Sequence, residues 1–229
     1  MGLLRTTRVN TDCLMGLWHI TEDYDTLSRL VALDDDDLRW IGHFKNEARK
    51  VELLSVRALL QTMTTPEARI VYNEMRKPFL VDGSQNISIS HSNRYTSILL
   101  SSTQRVGIDL EYMSHRIERV ASKFIAPSEY ITPRKGMKRI HLYIHWCAKE
   151  AMYKICDKQE LNFQEHILVE PFEVSSSGSG YVTGTVSKRD RQEQFSLHYE
   201  LLNNYVIVYT SKPGQSPSPL LTGTTPVAE

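Results

Sequence analysis

The sequence predicts an α+β fold, in which long helical runs are interrupted by pairs and series of short strands. Two long runs carry apolar residues at helical spacing, namely Leu38 to Met63 and His141 to Ile155. Several shorter runs are rich in β-branched and aromatic residues or alternate in polarity, which is typical of strands. These shorter runs span residues 86–90, 95–100, 106–111, 163–174, 181–186, 195–200 and 205–209.

The composition is that of an ordinary globular protein. The 229 residues are 41% hydrophobic and 24% charged, and their formal net charge is zero. A chain of this size forms one large domain or two small ones that share a core. Because no overall charge draws the protein to nucleic acid or to an acidic membrane, we expect neither as a partner.

The cysteines and the start of the chain predict a cytoplasmic protein. Cys13, Cys147 and Cys156 form no close pair of the kind found in zinc sites or disulfide frameworks, which fits a reducing compartment. Met1 to Val9 contains arginines, but no apolar segment long enough for a signal peptide follows. No run of about eighteen apolar residues occurs either. We therefore expect the protein in the cytoplasm. We also expect it to be a monomer.

The first predicted elements are a strand and a helix that lead to an acidic cluster. Leu14 to Ile20 is predicted to be a strand, and a helix is predicted around Leu27 to Leu33. Asp34 to Asp37 come directly before the first long helical run, where their oxygens can cap the helix and complement its dipole. Metal binding is the alternative, but the neighbours supply no second ligand group, so we favour capping.

Basic residues of the first long run have two interpretations. Arg49, Lys50 and Arg57 either face a ligand or are solvated helix charges. Pro66 ends the helix, and Ile70 to Leu80 is predicted to be extended and interrupted by a turn.

Two carboxylates share one face of the strand Val106 to Glu111, which follows a turn at Ser101 to Arg105. Since strand side chains repeat every two residues, Asp109 and Glu111 project side by side on the same face as Gly107. Adjacent carboxylates repel one another, so such a strand either solvates them or gives them a cation. The alternation alone leaves both interpretations open.

An acid and a base lie one turn apart in the second long helix. Trp146, Glu150 and Lys154 are spaced by four residues and lie close to one face. In isolation this pattern is typical of a surface salt bridge beside a packed tryptophan. Lys149 lies next to them in the sequence.

Shorter signals complete the chain. Ile117 to Phe124 is predicted to be helical, Pro127 to Glu129 to cap a further turn, and Pro133 to Arg139 to be a basic, turn-prone segment. From Ser211 onward Ser, Pro, Gly and Thr dominate, which predicts a disordered tail over residues 211–229.

Four segments, in order, match the pattern of a known family. Val-Gly-Ile-Asp-Leu-Glu at 106–111 is similar to a Gly-Ile-Asp-Ile/Leu-Glu strand, and the segment 146–154 to a Trp-x-x-Lys-Glu-x-x-x-Lys helix. Ile-Ser-His-Ser at 89–92 and Lys77-Pro78 resemble two upstream segments. Arg76 stands where the family commonly has glycine, and Ser88 where it commonly has asparagine. From Leu14 to Tyr209 the chain resembles the 4′-phosphopantetheinyl transferases of the larger, Sfp-type, pseudo-dimeric class.

The resemblance implies an architecture and a domain division. The α+β fold would consist of two similar-sized α/β subdomains with antiparallel sheets in a pseudo-twofold arrangement, with the active site in the cleft between them. Residues 1–103 would form the amino-terminal subdomain, with coenzyme A and carrier contacts. Residues 104–210 would form the carboxy-terminal subdomain, with the metal and catalytic residues, before the tail 211–229.

The resemblance also implies a reaction. The 4′-phosphopantetheine group of coenzyme A would pass to a serine of an apo acyl or peptidyl carrier protein, releasing 3′,5′-ADP. Asp109, Glu111 and Glu150 would bind Mg²⁺, or Mn²⁺, and oxygen-only ligation disfavours zinc. Lys154 would stabilise the charge on the phosphoryl group. Glu150 would either accept the serine proton or act only as a metal ligand.

Binding residues and partners follow from the same resemblance. Lys77, Ser90 and His91 would hold coenzyme A, with His91 near its 3′-phosphate. Lys149 would reach either a phosphate or solvent. The basic residues of the first long run remain unassigned candidates for a phosphate contact, namely Arg49, Lys50 and Arg57. An acidic carrier would meet a local basic surface, for which Arg134 to Arg139 is a candidate, unless that segment is merely a solvated loop.

Two other functions are weighed against the transferase. A non-catalytic coenzyme A or carrier-binding relative would be expected to lose Glu150, Lys154 or a strand carboxylate, yet all of them are present. A nucleotide kinase would need a phosphate-binding Gly-x-x-x-x-Gly-Lys-Ser/Thr loop, and the sequence has none.

Overall fold

The computed structural model describes residues 2–156, 161–188 and 191–214. The chain divides into two compact units, one of Met1–Arg105 with Pro213–Glu229 and the other of Val106–Lys212. They are called the amino-terminal unit and the carboxy-terminal unit below. Both combine helices with a sheet of hydrogen-bonded strands, so the predicted α+β fold is confirmed.

The amino-terminal unit packs its helices on a four-stranded antiparallel sheet of order β1-β2-β6-β5. The third helix packs against the two central strands, and a separate two-stranded hairpin follows that helix in the chain. The elements are β1 (Leu3–Arg8), β2 (Cys13–His19), α1 (Tyr24–Leu30), α2 (Asp35–Gly42), α3 (Glu47–Met63), β3 (Ile70–Tyr72), β4 (Pro78–Leu80), β5 (Asn86–Ser92) and β6 (Tyr95–Ser101).

The first long helical run is two helices, so its prediction as one is wrong. The chain leaves α2 after Gly42, and α3 starts anew because Asn46 caps it. Asn46 Oδ1 accepts hydrogen bonds from the amides of Ala48 at 2.9 Å and Arg49 at 3.4 Å. Such a cap satisfies amide groups that the first turn of a helix leaves open.

Other predictions for this unit are confirmed. Asp34 Oδ1 accepts a hydrogen bond from the amide of Asp37 at 2.8 Å, so the acidic cluster caps α2 as expected. Helix α3 ends before Pro66, and Ile70 to Leu80 forms two short strands joined by a turn. In that turn Arg76 takes a positive φ of 56° at the position where the resembled family has glycine.

The carboxy-terminal unit packs one long helix on a five-stranded sheet of order β7-β11-β10-β9-β8. Helix α5 contacts β8, β9 and β10, and its small side chains Cys147, Ala148 and Ala151 are fully buried. The elements are β7 (Gln104–Tyr112), α4 (Ile117–Val120), a 3-10 helix (Ala121–Lys123), α5 (Lys138–Ile155), β8 (Ile167–Val169), β9 (Ser179–Lys188), β10 (Arg191–Leu202) and β11 (Tyr205–Pro213).

Two predictions for the second half of the chain differ from the structure in their bounds. The strand predicted for 163–174 is only Ile167–Val169. The predicted tail starts inside β11, which extends to Pro213, and residues 215–229 lie outside the described residues. Among the helices in the described ranges, none is long and apolar enough to cross a membrane.

Candidate active site

Strand β7 and helix α5 touch at Gly107. A Cβ atom at this position would lie 2.2 Å from the Ala151 carbonyl oxygen, closer than two such atoms can approach. Glycine therefore lets the strand backbone reach the helix backbone. Because side chains alternate along a strand, the face that Gly107 turns to α5 also carries Asp109 and Glu111. The buried Ile108 lies on the opposite face.

Asp109 is held by contacts to α5. It is 4% exposed, and its Oδ1 accepts a hydrogen bond from Lys154 Nζ at 2.7 Å. Lys154 Nζ also donates to the carbonyl oxygen of Ile108 at 2.9 Å. Burial raises the pKa of the Cys147 thiol well above its ordinary value, and the charges of Asp109 and Glu111 raise that pKa further. Both strand carboxylates thus lie within electrostatic reach of α5.

Glu150 lies on the part of α5 that meets these carboxylates. It follows Cys147 by three residues and precedes Lys154 by four, so it neighbours both on the helix surface, and it is half-buried. The structure therefore brings the predicted residues Asp109, Glu111, Glu150 and Lys154 to adjoining positions on two elements of one unit.

The three acids do not form a closed metal cage. In the part of the chain that the structure describes, no group of three or more His, Cys, Asp or Glu side chains is arranged to hold a metal ion. The donor set still fits a hard cation, because it consists of carboxylate oxygens alone and two of them share one strand face.

Lys149 has a structural role, so both interpretations offered for it are wrong. Its side chain is fully buried, and Nζ donates to Glu129 Oε2 at 2.6 Å and to the carbonyl oxygens of Phe124 and Phe163 at 2.7 Å each. Burial lowers the pKa of Lys149, while the Glu129 carboxylate raises it. Three oxygen acceptors match the three N–H donors of an ammonium group, so we assign Lys149 the charged state.

Glu129 also closes the turn predicted at Pro127 to Glu129, because its amide donates to the Ala126 carbonyl oxygen at 3.0 Å. Its Oε2 accepts from the Ala126 amide at 2.7 Å and its Oε1 from the Val169 amide at 2.8 Å. Trp146 packs as predicted, with its ring centroid 5.1 Å from that of Phe124 and 5.6 Å from that of Phe163.

In the amino-terminal unit, His91 on β5 contacts a basic residue that sequence reasoning left unassigned. Arg49 NH1 lies 2.8 Å from His91 Nε2 and 2.9 Å from Glu52 Oε2. Arginine can only donate, so Nε2 accepts and the ring proton lies on Nδ1, which is 3.6 Å from Glu52 Oε2. The spacing of Arg49 and Glu52 was a signal for their pairing, but nothing local pointed to His91.

The other residues predicted to contact coenzyme A, and the basic residue Lys50, each make contacts within their own part of the chain. Ser90 is buried on β5, and its carbonyl oxygen accepts from Ser97 Oγ at 3.2 Å. Lys77 donates its amide hydrogen to Asn73 Oδ1 at 2.9 Å. Lys50 Nζ lies 5.5 Å from the ring centroid of Tyr24.

The interpretation of Arg57 as a candidate for a phosphate contact is wrong. It is 3% exposed, and its NH2 lies 2.7 Å from Asp37 Oδ1, to which Nε also donates at 2.8 Å. The charge of this guanidinium is therefore neutralised inside the protein.

Comparisons with known proteins point to one family. Residues 105–210 match the family model described as the 4′-phosphopantetheinyl transferase superfamily. The chain is 32% identical over 100 residues to a putative 4′-phosphopantetheinyl transferase of Synechocystis sp., covering 40% of this chain and 41% of that relative. It is 31% identical over 112 residues to the 4′-phosphopantetheinyl transferase gsp of Aneurinibacillus migulanus, covering 47% of this chain and 46% of that relative.

The matched stretch spans less than half the length of either curated relative. The family model covers β7, α5 and the strands after it, which are the elements that carry Asp109, Glu111, Glu150 and Lys154. Residues 105–210 of this chain are therefore similar to the 4′-phosphopantetheinyl transferase superfamily.

Proposed function

We propose that this protein transfers the 4′-phosphopantetheine group of coenzyme A to a serine of an apo acyl or peptidyl carrier protein and releases 3′,5′-ADP. The observation that carries this proposal is the contact of β7 with α5, where Asp109 meets Lys154 inside the segment that matches the superfamily. We further propose that the protein is of the Sfp-type class and acts as a monomer in the cytoplasm. The buried, unpaired thiols of Cys13 and Cys147 support a reducing compartment.

Asp109, Glu111 and Glu150 would hold a magnesium ion, which Mn²⁺ could replace. Their all-oxygen donor set and their positions on β7 and α5 support this assignment. A bound ion would supply positive charge to the pyrophosphate of coenzyme A. Lys154 adds a second positive charge next to Asp109, at the place where negative charge develops on the phosphoryl oxygens.

The chemical step is a substitution at phosphorus. The carrier serine oxygen forms a bond to the phosphorus on the pantetheine side, and the bond from that phosphorus to the bridging oxygen of the pyrophosphate breaks. The electron pair of the broken bond leaves with 3′,5′-ADP. Glu150 accepts the serine proton, directly or through water, as a general base.

Residues of the amino-terminal unit would bind the phosphates of the coenzyme. Lys77, Ser90 and His91 are the proposed contacts, and we add Arg49, because its guanidinium lies beside His91 and is partly exposed. A guanidinium next to an imidazole offers several N–H donors to one phosphate group.

The test is the intact mass of an apo carrier protein after incubation with the purified chain, coenzyme A and magnesium. We expect the carrier to gain the mass of one phosphopantetheine group. Glu150→Gln should lower the rate by about a hundredfold to ten-thousandfold, since it removes the base and a ligand. Glu165→Gln changes an exposed glutamate of the same unit and serves as the matched control.

Three outcomes would change the proposal. An unchanged carrier mass across several carrier types, with no coenzyme A binding, would refute it. Coenzyme A binding without any transfer would favour the non-catalytic relative. A Glu150→Gln variant that binds magnesium normally and keeps full turnover would exclude the general-base role of Glu150.

A further inference from the structure

A cavity of about 290 Å³ lies in the amino-terminal unit, apart from the cluster of Arg49, Glu52 and His91. Its walls come from the first turns of α2, from Arg57 on α3, and from the β3–β4 hairpin with the residue after it. Nothing in the proposed transfer reaction uses these residues. The proposed transfer reaction therefore does not explain this cavity.

Two residues that line this cavity each carry a buried polar atom without a hydrogen-bond partner among the described residues. Asp37 is 6% exposed, and its Oδ1 takes both hydrogen bonds from Arg57, at 2.7 and 2.8 Å. Among the described residues, Asp37 Oδ2 and the indole nitrogen Nε1 of Trp40 have no hydrogen-bond partner, although both atoms are buried. Buried polar atoms are nearly always satisfied, so something outside the described chain is expected to satisfy these two.

The two groups are complementary and lie on one helix face. Asp37 and Trp40 are three residues apart on α2, so their side chains leave the helix as neighbours. Asp37 Oδ2 needs a donor, and Trp40 Nε1 needs an acceptor. A single ligand that carries an N–H next to a C=O would satisfy both.

The remaining walls favour a flat and largely apolar ligand body. The rings of Trp40 and Tyr72 both line the cavity, with centroids 6.3 Å apart and planes inclined by 31°. Ile70, Val71 and Val81 supply aliphatic surface. A single ordered water occupies only about 30 Å³ and would fill a small part of this cavity.

The charges favour a neutral ligand. Each acidic residue of the lining forms an ion pair with an arginine, so none of them needs a bound cation to balance its charge. The pairs are Asp37 with Arg57, Asp34 with Arg69 at 3.3 Å, and Asp36 with Arg39. An anionic ligand would place a negative oxygen against Asp37 Oδ2. We propose that this cavity binds a small neutral aromatic amide or lactam, whose N–H donates to Asp37 and whose C=O accepts from Trp40.

The test uses the full chain labelled with ¹⁵N and benzamide as the probe, with benzoate as the matched control. Benzoate has the same size and ring but replaces the N–H donor by an anionic oxygen. We expect millimolar benzamide to shift the indole N–H signal of Trp40. This signal is identified as the one that disappears in the Trp40→Phe variant. The indole signal of Trp18, whose Nε1 lies 3.3 Å from Glu22 Oε2, should stay in place. Benzoate should bind at least about tenfold more weakly.

The variant adds a second measurement. Trp40→Phe keeps an aromatic ring but replaces the indole by the smaller phenyl group, so it removes the N–H donor together with part of the ring surface. An unmoved Trp18 signal shows that the variant is folded. Its benzamide affinity, followed by the Arg57 Nε–H signal, should fall by about tenfold. An unmoved Trp40 signal at saturating benzamide, equal affinity for benzoate, or unchanged affinity in Trp40→Phe would each overturn the proposal.

Discussion

The buried pair of Lys149 and Glu129 makes a sharp prediction for the variant Lys149→Met. Methionine has nearly the same length as lysine but carries no charge. The change removes three hydrogen bonds of 2.6 to 2.7 Å and leaves the Glu129 carboxylate buried without its cation. Breaking one side of a buried pair costs about 3–5 kcal/mol of the free energy of unfolding.

The measurements are urea unfolding and thermal unfolding, each followed by circular dichroism and tryptophan fluorescence. For a chain of this size each kcal/mol corresponds to about 2–4 °C, so the thermal midpoint should fall by roughly 6–20 °C. Lys123→Met serves as the control, because Lys123 is an exposed lysine of the same unit and its loss should change stability by less than about 0.5 kcal/mol.

A double-mutant cycle separates the pair from general damage. In Lys149→Met with Glu129→Gln no uncompensated charge remains, so the double variant should be more stable than the sum of the single losses by about 0.5–3 kcal/mol. A loss below about 1 kcal/mol in Lys149→Met would refute this reasoning, and so would strict additivity in the cycle. If Lys149 bound a phosphate instead, the KM for coenzyme A would rise while the free energy of unfolding stayed unchanged.

Two further perturbations follow from the same unit. Gly107→Ala puts a Cβ atom 2.2 Å from the Ala151 carbonyl oxygen, so β7 and α5 must separate; we expect a stability loss of about 1–3 kcal/mol in urea unfolding together with slower transfer. Burial lowers the pKa of His141, and burial lowers the pKa of His145 to about 3, so the folded state binds fewer protons than the unfolded state below about pH 6.5. Stability should therefore decline from about pH 6.5 downward by up to about 1.4 kcal/mol per pH unit for each histidine, and an equal free energy of unfolding at about pH 7.5 and pH 5 would contradict this.

Elements specified by local periodicity could be predicted from the sequence. The alternation in β7 and the four-residue spacing in α5 each depend on neighbours in the chain, and both elements form where expected. Strand β1, Leu3–Arg8, was missed because it lies at the edge of its sheet, where it pairs with β2 alone among the described strands. The break between α2 and α3 was missed because apolar residues continue on both sides of Asn46, although its capping chemistry was visible.

Residues whose roles depend on distant partners could not be assigned. Arg57 pairs with Asp37 and Lys149 with Glu129, and each pair is separated by 20 residues in the chain. A charged residue on a helix is usually solvated, so no sequence pattern distinguishes these two from surface charges. The contact of Arg49 with His91, at a separation of 42 residues, was inaccessible for the same reason.

The two lysines of the motif in α5 have different roles because they lie on different sides of the helix. Lys149 and Lys154 are five residues apart, so they leave the helix in directions that differ by about 140°. Lys149 is fully buried, and oxygen acceptors of the protein use all three of its donors. Lys154 is 18% exposed, and its described contacts, to Ile108 and Asp109, account for two of its three donors. Lys154 is therefore the one of the two that has a donor left for a phosphoryl oxygen, which supports its proposed part in the transfer.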